Sequence, residues 1–274
     1  MHYTLLIMHY LVSLHLESIY ETMKRILTFC FFLLLLGMTL IAANIDSLKV
    51  VADSAYAKED FETAAKTYRK IVKQGESAAV CYNLGNCYYR MDDIAQAILW
   101  YERASLLSPG DEDIRFNLDM ARSKTIDRIT PRHEFFFVTW YRSMTNWMSA
   151  DDWARLSVLL FVLCLAALAV YIYGKQMWLR KSGFTLAIVL LLATLLGNVC
   201  AWSQRSRQTT REGAIVMAPS VVVKSTPSKS GSDLFVLHEG TRVEIRDNSL
   251  SEWAEVVLAD GKQGWVEKKQ IEVI

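Results

Sequence analysis

Apolar positions along this chain obey three different rules in turn. Over residues 44–125 they recur every three or four residues, as in "FETAAKTYRKI" (61–71) and "IAQAILWYERA" (94–104), which lays one stripe along an amphipathic helix. Over 156–173 ("LSVLLFVLCLAALAVYIY") and 182–203 the apolar residues run on with no polar face, long enough for helices that cross a bilayer core of about 30 Å. From 212 onward they alternate in short runs (221–225, 234–237, 241–247, 253–260 and 263–269) separated by turn residues, and Asp260-Gly261 is a hairpin signal. The pattern predicts a multidomain membrane protein. Its parts are all-α helical repeats (44–125), an aromatic juxtamembrane helix (131–153), a two-helix transmembrane hairpin (155–174 and 182–203) and a small all-β barrel (212–274).

A third apolar block, 26–43, follows Met23-Lys24-Arg25 and ends in the small residues of "IAAN". That is the layout of an export signal, with an uncleaved anchor as the alternative for 23–43. Residues 1–22 hold no Lys or Arg and read as an upstream extension of the gene model. With Lys24 and Arg25 inside, residues from 44 onward begin outside, and two further spans return the chain to that side. The turn "GKQMWLRK" carries Lys175, Arg180 and Lys181, as a cytoplasmic loop should. Arg205, Arg207 and Arg211 flank the last span on the outer side, so charge alone leaves the orientation near a tie and the export signal decides it.

The helical region repeats itself at an offset of 33: Ala64 falls on Ala97 and Tyr68 on Tyr101. Its second unit, with Leu84, Gly85, Tyr88, Ala97, Tyr101, Ala104 and Pro109, resembles the tetratricopeptide repeat, a pair of antiparallel helices. Gly85 and Ala97 are small where two helices cross, the tyrosines fill the space beside them, and Pro109 ends the second helix. The first unit departs from the motif at Ala55 and Glu76, and "IRFNLDMARSK" (114–124) reads as a capping helix. The aromatic residues of 81–109 therefore read as packing. Cys81 and Cys87 lie about 240° apart around a helix and cannot pair there. The resemblance places Lys49, Asp53 and Tyr56 of the first unit, and Tyr82, Asn83, Asn86 and Tyr89 of the second, on the concave face. There they form either a partner-binding groove or an ordinary solvated surface.

Phe136, Phe137, Trp140, Met144, Trp147 and Met148 form one stripe, with Arg142, Thr145, Asn146 and Ser149 opposite. The stripe is expected to lie on the membrane surface, with docking on the repeats as the alternative. The string "LHEGTRVEI…WAEVVLADGKQGWV" resembles bacterial SH3-like domains. Trp253 and Trp265 read as barrel core or, alternatively, as its contact surface.

Composition adds few candidates for chemistry. Net charge is +1, which gives a nucleic-acid partner no electrostatic support. His133 and His238 stand far apart, no cysteine pair has zinc spacing, and no phosphate-cradling glycine loop occurs, so neither an enzyme nor a cofactor is expected. The order of modules, with "YNLGNCYYR…AILWYERA…SPGDEDIRFNLDMARSKTID" and "LFVLHEGT…GWVEKK", resembles the Bat proteins of bacterial aerotolerance operons. That resemblance implies an inner-membrane protein working with other Bat membrane proteins that carry von Willebrand A domains, in tolerance of oxygen or envelope stress. The expectation is a membrane-anchored scaffold with both soluble modules on the periplasmic side. A peptidoglycan-binding module and a thiol-reactive protein are the competing classes.

Overall fold

The computed structural model describes residues 46–130, 132 and 135–274. The segments read as an upstream extension (1–22) and as a signal or anchor (23–43) lie outside the described residues. The repeat region is a helical stretch α1 (46–57) followed by α2 (Phe61–Val72), α3 (Ala78–Arg90), α4 (Ile94–Leu107) and α5 (Glu112–Ser123). Each helix after α1 starts at a side-chain cap. Asp60 accepts from the Thr63 N–H, Ser77 from Val80, Asp93 from Gln96, and Asp111 from Asp113 and Ile114. The 33-residue echo extends to the turns. Glu59 and Asp92 both adopt left-handed backbone (φ 63° and 61°), and the following Asp60 and Asp93 N–H groups donate to Ala55 O and Tyr88 O at 3.0 Å. The first unit is thus built like the second despite Ala55 and Glu76. Gly85 permits the crossing of α3 over α4: a Cβ there would lie 2.6 Å from the Tyr101 ring.

The C-terminal segment folds as seven strands: β1 (Gly213–Val216), β2 (Ser220–Lys224), β3 (Asp233–His238), β4 (Arg242–Asp247), β5 (Trp253–Val257), β6 (Gln263–Glu267) and β7 (Ile271–Val273). They form one antiparallel sheet in the order β3-β2-β6-β5-β4-β1-β7. Two strands join the five expected, and the expected barrel does not close, since β3 and β7 remain edges. The β7 edge is occupied by the repeats instead. Arg103 Nη2 donates to Val273 O at 2.6 Å and lies 3.5 Å from Glu272. Inward residues of alternating positions, Val221, Val223, Val243, Val256 and Val266 among them, make the sheet's core.

The two soluble modules share a second core. β1 is buried on both faces: Ala214 and Val216 face the sheet, while Ile215, with Ile274, packs against Ala97, Ile98, Leu99, Leu118 and Ala121. Helix α4 is correspondingly buried all round, six consecutive residues from Ala97 to Glu102 included. Buried Glu102 bridges the modules, bonded to Arg122 and 3.8 Å from Arg242 Nε. The chain after α5 straps the sheet down. Asp127 accepts from the His238 N–H at 2.7 Å and from Thr241 Oγ1 at 2.7 Å, and its other oxygen lies 2.8 Å from His238 Nδ1. Ile129 packs on the sheet's core, and the Arg132 N–H reaches Ala259 O at 3.0 Å.

The expected juxtamembrane element divides into α6 (Phe136–Thr145) and the start of α7 (Ala150–Tyr173), which Ser149 caps. α7 and α8 (Met177–Thr210) are long and apolar enough to cross a membrane. Their contact seam is lined by small residues, Ser157, Cys164 and Ala167 against Gly183, Ala187, Thr194 and Gly197. The outward side chains, such as Leu159, Phe161, Val189 and Leu192, are left uncovered. α8 outruns the expected 182–203 at both ends. Its last turns and the residue after them carry polar side chains to the globular part: Gln208 Nε2 donates to Leu106 O at 3.0 Å, and Arg211, just past the helix, pairs with Glu76 at 2.7 Å.

Candidate functional site

The face of the repeats that the resemblance makes concave carries a ladder of hydroxyls, amides and a carboxylate that follows the repeat spacing. Tyr68 on α2 bonds to Asp53 on α1 and receives the Asn83 amide of α3 at 3.4 Å. One repeat later, Tyr101 on α4 donates to Asn86 on α3 at 2.7 Å. Asn117 on α5 then donates to Asn86 Oδ1 at 3.1 Å and to Tyr82 Oη at 2.8 Å. Burial raises both Tyr68 and Tyr101, the Asp53 carboxylate adding to it at Tyr68, so both phenols stay protonated donors.

Asp53, Tyr56, Tyr68 and Asn83 line a cavity of about 300 Å³. Tyr56 meets Phe61 edge-on at 5.2 Å between ring centres, which fixes its orientation at the rim. Tyr89 lies under the Lys124 ammonium, 4.3 Å from its ring centre. Lys49 is exposed one helical turn before Asp53. The seven concave residues named from the sequence thus fall into a cavity group (Asp53, Tyr56, Asn83), a group tied into the fold (Tyr82, Asn86) and two outer positions (Lys49, Tyr89). Sequence reasoning missed Tyr68, Tyr101 and Asn117. Asn117 was findable, because it stands 34 residues after Asn83 in a second "NL" pair.

Trp253 and Trp265 are not core. Their neighbours Ala254, Val256, Gly264 and Val266 take the buried side, leaving both tryptophans half-buried on the outer face. Pairing of Trp253 with Glu267 and of Glu255 with Trp265 makes them diagonal neighbours there. Cys81 and Cys87 sit in the helical core with no exposed surface, and burial pushes both thiols up to about 12. The polar face of α6 docks and its aromatic face does not. Thr145 O accepts from Trp153 Nε1 at 3.1 Å and from Gln204 Nε2 at 2.7 Å, while Phe136, Phe137 and Trp140 remain exposed.

Residues 78–111, which span α3 and α4, match the tetratricopeptide repeat family. Repeats of this kind generally mediate contacts between proteins, which suggests a protein-interaction scaffold. No curated protein matches the chain.

Proposed function

We propose that the chain is a membrane-anchored adaptor that grips a segment of a partner protein in the concave face of its repeats and acts by binding, not by turnover. The observation that carries this reading is the cavity of Asp53, Tyr56 and Asn83, which offers a carboxylate, a ring and an amide to a chain laid along the helices. The uncovered apolar sides of α7 and α8 support a hairpin spanning the bilayer. The exposed Phe136, Phe137 and Trp140 support α6 lying in the headgroup layer beside it. The likeness to Bat proteins of aerotolerance operons supports an inner-membrane complex with von Willebrand A-domain partners, the soluble part facing the periplasm.

Lys49 and Tyr89 lie outside the hydroxyl–amide ladder, so Lys49→Glu with Tyr89→Ala tests the groove without dismantling it. A co-expressed von Willebrand A-domain Bat protein is expected to co-purify with the wild-type chain and not with this variant, whose circular dichroism stays unchanged. Equal recovery from both removes the groove from the reading. A second reading, peptidoglycan binding by the sheet, is favoured by the outward pair Trp253 and Trp265. Sedimentation of the full chain with purified sacculi, abolished by Trp253→Ala, would move the assignment there.

A further inference from the structure

Polar side chains inside the apolar hairpin are of two kinds. The hydroxyls are satisfied by their own helices. Thr185 Oγ1 donates to Lys181 O at 3.1 Å, Thr194 Oγ1 to Leu190 O at 2.8 Å, and Ser157 Oγ of α7 to Ala154 O at 3.0 Å. A hydroxyl has a single proton, and a carbonyl three or four residues back takes it. Asn198 on α8 differs. Its Nδ2 donates to Thr194 O at 2.9 Å, the one hydrogen bond of this side chain among the described residues. A primary amide has two protons and a carbonyl, so one N–H and Oδ1 are left over. The side chain is exposed and lies off the seam with α7, which its neighbours Thr194 and Gly197 line.

Depth turns that remainder into a demand. Asn198 stands before the end of the apolar run 182–203, about 8 Å into the hydrocarbon when the hairpin spans a bilayer. Its side chain is too short to reach back to water, and acyl chains offer an amide no partner. A second helix that brings a donor and an acceptor to the same depth answers both groups. Ile188, Leu191, Leu195 and Trp202 are exposed on the same strip as Asn198, at steps of three and four residues, the spacing along which two helices pack. Arg205 continues the strip past the apolar run and is exposed as well, so the globular part leaves it open.

The leftover groups also say which helix fits. Copies of one chain insert the same way up, so Asn198 lies at one depth in all of them. Two α8 helices packed side by side therefore run parallel, and each residue meets its own counterpart across a two-fold axis. The spare N–H of one amide then faces the spare carbonyl of the other, and the reverse, so one contact satisfies both. A helix of different sequence needs a matching group at that depth, whereas a second copy already has it.

We propose that the outward strip of α8 around Asn198 is a self-association surface within the bilayer, on which a second copy of this chain pairs amide to amide. The proposal rests on the membrane-spanning reading of α7 and α8.

The test uses the full chain in phosphatidylcholine vesicles that hold two batches together, one labelled on lysine with a donor dye and one with an acceptor. Energy transfer between copies is followed as lipid is added, and alkaline carbonate extraction of the same vesicles reports separately on insertion. The wild type is expected to resist extraction and to show transfer that fades on dilution. Asn198→Leu should stay inserted, because the position is off the seam, and should lose transfer at a lipid-to-protein ratio about tenfold lower, the effect of two interhelical hydrogen bonds of the modest strength found in membranes. Asn198→Gln keeps the amide and should stay within about threefold of the wild type. Equal dilution curves for the wild type and Asn198→Leu overturn the proposal. So does an inserted wild type that shows no transfer at any ratio, a result that assigns the amide to a helix of another protein and leaves the spanning reading standing. Release of the wild type by carbonate overturns both.

Discussion

Residue-level physics decides what Cys81 and Cys87 are for. A thiol reacts as its thiolate, and burial lifts both to about 12 from an ordinary 9.0. At neutral pH this cuts the reactive fraction about 1000-fold. In the folded chain, iodoacetamide is therefore expected to modify neither residue on the timescale of an exposed cysteine, and denaturant should restore an ordinary rate. Fast labelling of either in the native protein would return a thiol chemistry to consideration. Their role is small-residue packing beside Leu84 and Tyr68, a place where a hydroxyl or charge would not be tolerated.

Among the elements, β1 has the most to explain. "GAIV" is four residues with no alternation, and periodicity gives no reason to call it a strand. It is apolar throughout because it is covered twice, by the sheet on one face and by α4 on the other. Ile215→Ala is expected to cost about 2–4 kcal/mol. Because Ile215 belongs to both modules, chemical denaturation should show the repeats and the sheet losing stability together. A shift confined to the sheet would mean that the shared core is not cooperative. This element also marks the limit of what was legible. The helix pairs and the central strands follow periods of 3.6 or 2, and the membrane hairpin shows as two unbroken apolar runs, so these are readable residue by residue. The junction is not, because its determinants (Ile215 and Ile274 against α4 and α5, Glu102 with Arg242, Asp127 with His238) join segments far apart in the chain, outside any local pattern. One sign was present: "AILWYE" leaves α4 no solvent face, which asks for a partner beyond α3 and α5. The concave candidates were legible as a set through repeat spacing, but which of them are spent on the fold, as Asn86 is, depends on tyrosine hydroxyls from the neighbouring helix.

For the whole molecule, the strap from α5 to α6 couples the modules through a titratable group. Burial works against the Asp127 charge. The His238 N–H, Thr241 hydroxyl and His238 ring more than offset it, holding the carboxyl below its ordinary 3.8. A depressed carboxylate contributes stability that is present above the unfolded value and is lost as pH falls through the folded one. The melting temperature of the full chain is therefore expected to drop between about pH 5 and about pH 3, and Asp127→Asn should lower it at neutral pH and flatten that drop. An unchanged slope in the variant would assign the acid sensitivity to other carboxylates.

Helix α8 runs without a break from the apolar seam to Gln208, which touches Leu106. At 1.5 Å per residue its 34 residues make a shaft about 51 Å long, so a change of about 10° in its lean swings the far end by about 9 Å. Bilayer thickness sets such leans in helices longer than the hydrocarbon they cross. If the hairpin spans a bilayer as proposed, the height and pitch of the repeats above it become a function of the lipid around the hairpin.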